Sequence, residues 1–478
     1  MTDETEAALG SVRSAAQVWV EAVINVLLAD PSSFLIDDDV FTSWVRTDEN
    51  TFAKRRATAT WHPRLYDEAA ALPEHDSLLQ RARESAVING QLGQLVGSPM
   101  GSARMEPERF AMALLPGPTQ LDGYNFDVAW TAWVEVFTED VVAQKTVIPL
   151  LGLDLEGATL NWDANTAVRP LTDNEVVAGL RVGVLRSAHY DSGVFTVLGS
   201  SIAGLVIEQS LPKVVGEWPA DAMFQYAREN ESELASKVDL LRQSLALVGL
   251  GAVKLAGRYG FTEAPVLGRS VTYQAFTGPL RLGPSVPIRA AQVSQFEDTW
   301  VVLASAASDS HKSLALASRR LSFAHQRERD EDIILDLLIA SEAFYLSGNS
   351  TELRFRLSLR AAYWNELPGW SRREVFDLFL KAYDVRSKVA HGGTAKANDM
   401  QVRGSVVSLH DFIEATDAVL TAALQKEVRR LHQASTPLQP VAWEDLIVGS
   451  TAAPTDLAVV EDGDTGSSGD SGTRESTA

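Results

Sequence analysis

The spacing of apolar residues divides this chain near residue 305. After Leu314 they recur every three or four positions, broken only by turns. That spacing predicts helices over 332–346, 352–367, 371–390 and 409–431, with Pro368-Gly369 ending the second. Short loops make neighbouring helices antiparallel, so a bundle is expected over 306–436. Its third long helix opens on Ser371-Arg372-Arg373-Glu374, a capping box, and carries an apolar stripe of Phe376, Phe379, Leu380, Tyr383 and Ala390.

Before residue 305 the texture is mixed. Residues 1–120 read as mostly helical, from periodicity such as Val18, Val23, Ile24, Leu27 and Leu28. From about Ala129 to Pro212, runs such as Thr146-Val147-Ile148-Pro149-Leu150 and Phe195-Thr196-Val197-Leu198 suggest strands. A long helix is expected over 220–257, then strand-like runs at 271–276 and 300–303. The fold class is therefore α+β: an α+β region over 1–305 (helical to 120, mixed over 121–305), then a helical bundle. Residues 449–478 are rich in Gly, Ser, Thr and Asp with little apolar content, and read as a disordered acidic tail.

Composition narrows the function classes. At 478 residues the chain exceeds one ordinary core, and 45% hydrophobic content excludes general disorder. A net charge of -21 argues against a surface that coats nucleic acid or an anionic membrane throughout. The segment from His311 to Gln433 departs from this balance, with 18 Lys plus Arg against 16 Asp plus Glu. Cysteine is absent, which removes disulfides, thiolate metal sites and thiol nucleophiles. The acidic start Met1-Thr2-Asp3-Glu4 does not resemble a secretory signal and no apolar run approaches a membrane span, so the expected location is cytoplasmic, with no membrane partner.

Candidate chemistry gathers at the end of the third long helix. Continuing its apolar stripe puts Arg386 on the buried side, where a guanidinium needs a carboxylate or a phosphate. His391 stands five positions on, and histidine is the residue type suited to proton transfer near neutral pH. The two share a cleft only if the helix stops near Ala390, and Gly392-Gly393 provide that stop through a left-handed cap. Glu342 lies on the apolar stripe of Leu335, Leu338 and Leu346, and Arg360 on that of Leu353, Leu357 and Trp364. Glu342 is expected to pair with Arg386 or Arg360, most simply as an ion pair that fixes helix register. Phosphate-loop, zinc-helix and nucleophile-elbow motifs are absent, and no metal or cofactor is called for. Asp37-Asp38-Asp39 reads as a surface cap, not as a paired catalytic aspartate.

Three blocks carry a resemblance: Asp332-Ile333-Ile334-Leu335-Asp336-Leu337-Leu338-Ile339-Ala340-Ser341-Glu342-Ala343, Leu357-Ser358-Leu359-Arg360-Ala361-Ala362, and Tyr383-Asp384-Val385-Arg386-Ser387-Lys388-Val389-Ala390-His391-Gly392. Residues of about 314–431 resemble a HEPN domain of the Apea-like branch, which ends its third main helix with arginine-serine-x-x-x-histidine-glycine. The stretch from Gly152 to Glu175 is similar to regions upstream of such domains. The resemblance implies a metal-independent ribonuclease, often a toxin or antiviral effector, whose Arg386 and His391 act across a homodimer on RNA. Strongly active members often place Asn, Asp or His after the arginine; here Ser387 stands there, and it donates a hydrogen bond without exchanging protons near neutral pH. The alternative is a non-catalytic module that dimerises or binds a nucleotide, RNA or protein. The amino-terminal region is left open to a protein partner.

Overall fold

The computed structural model describes residues 3–34, 42–48, 51–56, 61–98, 101–107, 110–117, 121, 123–185, 194–196, 202–217, 219–251, 253–262, 271–275, 286–306, 311–346, 351–365, 367–434 and 440–449. The triple aspartate at 37–39 and the tail beyond 449 lie outside these residues. The helices among them are α1 (Asp3–Ala29), α2 (Pro63–Ala70), α3 (Pro73–Glu84), α4 (Ala86–Asn89), α5 (Phe126–Thr138), α6 (Asp173–Arg181), α7 (Ala220–Leu247), α8 (Ala290–Ala306), α9 (Lys312–Ala324), α10 (Asp330–Tyr345), α11 (Leu353–Trp364), α12 (Arg372–Ala390), α13 (Leu409–His432) and α14 (Trp443–Val448). The architecture is α+β: strands and helices mix in the amino-terminal part, and helices dominate the carboxyl-terminal part.

The first core is helical, as the periodicity predicts, although residues 1–120 also hold two antiparallel strand pairs, of which the first packs on the central sheet through Phe52. They pair Thr42–Asp48 with Thr51–Arg56 and Leu95–Ser98 with Gly101–Arg104. Along α1, Leu9, Val12, Ala16, Trp19, Val20, Val23 and Leu27 are buried in this core. Ala7–Ala29 is nevertheless long and apolar enough, by length and composition, to cross a membrane, contrary to the expectation that no run approaches a span. Exposed Val18 and Leu28 on its outer side add hydropathy that the core does not need. The strand texture expected from Ala129 begins only at Val141: Trp130, Trp133, Val136 and Phe137 are instead buried at helical spacing in α5, whose amino end is capped by the Asn125 side chain.

The central sheet is antiparallel. Its order runs Val271–Ala275, Gly257–Thr262, Val141–Leu151, Ala203–Pro212, Thr166–Pro170, Leu160–Asp163, with Lys254–Leu255 also pairing to Val141–Leu151. Helices cover both faces. Ile148 and Leu150, opposite Leu205 and Ala203, bury with Val238, Leu241 and Leu245 of α7 and with Phe296 of α8. On the opposite face Val147 and Val206, directly paired, bury with Tyr259 against Val176 and Leu180 of α6. Burial on both faces explains why Val147 to Leu150 reads as a continuous apolar run and not as an alternation.

The bundle core draws on α9 to α13, through residues such as Leu321, Leu337, Leu357, Phe379 and Leu420. Ala246 and Leu247 of α7 and Val302 and Leu303 of α8 join it, so the packing unit begins before residue 306. The run at 300–303 is thus helical and not a strand. Phe296, Thr299, Trp300 and Leu303 are buried at spacings of three and four, and tertiary packing overrides the β-propensity of Trp-Val-Val. Helix α7 stops at Leu247, ten residues earlier than expected, where Gly249 adopts φ +78°.

Gly251, in the turn after α7, lies against the ring of His325. That ring's Nε2 is 3.0 Å from both carboxylate oxygens of Asp417 on α13. A Cβ at position 251 would stand 1.8 Å from His325 Nδ1. Gly251→Ala is therefore expected to cost about 1–3 kcal/mol by overpacking, read as a lower urea midpoint with an unchanged slope.

Candidate active site at the end of helix α12

Helix α12 begins as its sequence predicts. Ser371 Oγ accepts from the Glu374 amide at 3.2 Å, and a Glu374 carboxylate oxygen accepts from the Ser371 amide at 2.7 Å. It also ends as predicted. Gly392, at φ +75°, donates to the Val389 carbonyl, and Gly393 donates to the Lys388 carbonyl, each at 2.9 Å. These bonds close the helix through a left-handed glycine, and they leave His391 exposed at its end.

The phase of the buried stripe differs from the expected one. Val375, Leu378, Phe379, Ala382 and Val385 are buried, whereas Phe376, Leu380 and Tyr383 are only half-buried and Ala390 is exposed. Neighbouring α11 covers part of that flank: Phe355 meets Phe376 edge-on, and Arg354 pairs with Asp384. Arg386 follows Val385 at the margin of the buried face, with 29% of its side chain exposed.

Arg386 faces Glu342 of α10, its Nη2 3.6 Å from the carboxylate. Its Nε is buried without a hydrogen-bond partner. The pair is loose, and burial pushes the Glu342 carboxyl above its ordinary range while Arg386 offsets only part of that shift. A raised folded-state value means that the protonated form is favoured in the fold. The contribution of Glu342 to stability is therefore full below the unfolded-state value and declines as pH rises through the folded one. Glu342→Gln should remove this decline, so wild type minus variant stability should fall on going from about pH 4 to about pH 7; a flat difference in urea melts would contradict it.

Arg360 does not pair with Glu342. Buried on α11, it donates to the Tyr345 carbonyl at 2.6 Å and to Glu444 of α14 at 2.7 Å. The expected three-helix ion pair is thus two separate contacts, because residues beyond 440 return to the bundle and supply the carboxylate. Ser387 is half-buried, and its carbonyl accepts from the His391 amide at 3.3 Å. Beside His391, Lys388 Nζ pairs with Asp399 at 2.6 Å. Among the described residues Arg386 and His391 make no hydrogen bond to each other: the guanidinium faces α10 and the imidazole lies at the exposed helix end.

Three charged contacts escape a reading of the sequence. Asp336 is buried between Arg320, at 3.2 Å, and Arg327, at 2.8 Å. Glu427 is held by Arg430 through two bonds of 2.7 Å, and His325 meets Asp417. Asp336 does carry a signal, since it interrupts an otherwise apolar run between Leu335 and Leu337. Among the described residues no three His, Asp or Glu side chains gather as a metal site.

No family model, no curated protein and no solved structure matches this chain.

Proposed function

We propose that the chain is a cytoplasmic endoribonuclease of HEPN type that works as a homodimer through its helical bundle. The observation that carries this reading is the exposed His391, held by the Gly392-Gly393 closure at a helix end five positions beyond Arg386. In this reading His391 withdraws the proton from a ribose 2'-OH or protonates the leaving 5'-oxygen. Arg386 neutralises charge on the phosphate as the 2'-oxygen attacks it. Unpaired RNA is the substrate, because only RNA carries the neighbouring hydroxyl and loops are accessible. Within one protomer Arg386 and His391 make no hydrogen bond to each other, which fits a site completed by a second copy.

A non-catalytic binding module is favoured by one observation. Arg386 already faces Glu342, as a purely structural arginine would. Incubating the full chain with total RNA in excess EDTA separates the two readings. Cleavage that survives chelation and leaves a 2',3'-cyclic phosphate with a 5'-hydroxyl is the expected result. Absence of cleavage on any RNA would leave the binding module standing.

A further inference from the structure

After α13 the chain returns to the bundle and docks α14 through one buried side chain. The Trp443 ring stands perpendicular to Phe344 with centroids 5.7 Å apart, and lies 5.6 Å from both Tyr345 and Trp364. The guanidinium of Arg360, whose residue is only 2% exposed, is 5.5 Å from the Trp443 centroid. Glu444 accepts from that guanidinium while most of its own side chain stays in solvent. Asp445, Leu446 and Val448 are exposed.

The slot therefore specifies two groups in succession, a flat aromatic ring and a carboxylate one residue on. Emptied of α14, it would leave a buried cation with the Tyr345 carbonyl alone, beside apolar walls, and such a group requires a counter-charge. Ten residues, 433–442, separate α13 from α14, a chain length whose greatest reach is roughly 33 Å.

We propose that the slot formed by Phe344, Tyr345, Trp364 and Arg360 is a peptide-binding site for a short helical segment with tryptophan followed by an acidic residue. Helix α14 is its resident ligand, and α14 of a second copy of this chain is the occupant it accepts in exchange. Arg360 supplies the charge selectivity, and the three aromatic walls select the indole. The proposal is independent of ribonuclease activity.

The test uses the full chain carrying Trp443→Ala, which keeps the slot and removes its ligand, and a labelled peptide of residues 440–449. Saturable binding is expected to this variant, weaker by roughly ten-fold or more to wild type, where α14 competes. Peptides carrying Trp443→Ala or Glu444→Gln should each lose roughly ten-fold or more. Excess unlabelled wild-type chain should displace the labelled peptide from tagged Trp443→Ala chain, because its α14 is the occupant accepted in exchange. Absence of saturable binding, equal binding of the tryptophan-free peptide, or failure of wild-type chain to displace the labelled peptide would each overturn the proposal. Should Trp443→Ala fail to fold, full-chain Glu444→Gln takes its place; failure of that variant to fold as well would overturn it, since α14 would then be an integral part of the core.

Discussion

Glu175→Ala is expected to lower unfolding stability by about 3–5 kcal/mol, the range for breaking a buried ion pair from one side. Glu175 is 1% exposed. Its carboxylate accepts two bonds from Arg169, at 2.6 and 2.9 Å, and one from the Thr172 amide at 2.8 Å. The alanine variant leaves a largely buried guanidinium without this counter-ion and opens the capping box that starts α6. Burial alone would raise the Glu175 carboxyl, but the bonds from Arg169 and Thr172 outweigh it and hold the group below its ordinary value. A depressed folded-state value gives stability that is present above the unfolded-state value and is lost as pH falls through the folded one. Urea melts should therefore show wild type weakening below about pH 4.5 by more than Glu175→Gln does. Unchanged stability in Glu175→Ala at neutral pH would show that the contact contributes nothing.

The ends of α12 were legible in sequence because each depends on a few adjacent residues. Ser371 and Glu374 satisfy each other's amides, and a left-handed Gly392 closes the last turn, without help from the rest of the fold. The phase of the stripe was less legible. Phe376 and Tyr383 are large and apolar, yet they are only half-buried, while the small Ala382 faces the core. Packing geometry, not hydrophobicity, made that choice. Arg360 shows a second limit: its helical face predicted burial correctly, but its partner Glu444 comes from 84 residues away, where no periodicity points back to it. The helix at 300–303 departs from its strand-like sequence for a related reason, since four residues of Trp-Val-Val-Leu fit either structure until Phe296 and Thr299 extend the pattern.

His391→Ala is expected to lower RNA cleavage by about 10²–10⁴-fold, the usual contribution of a general acid or base. The melting temperature should stay unchanged, because the His391 side chain is exposed and the helix closure uses backbone atoms alone. Arg386→Lys should lose roughly 10²–10³-fold, since a compact ammonium lacks the planar fork that spans two phosphate oxygens. Rates of single-turnover cleavage, with product ends identified, measure both. Mixing the two variants then asks where the site lies. If Arg386 of one chain serves His391 of the other, about half of randomly paired dimers hold one intact site, and activity should return to roughly a quarter of wild type. If each protomer holds a whole site, the mixture should stay inactive. Undiminished cleavage by His391→Ala would refute the assignment of that residue altogether.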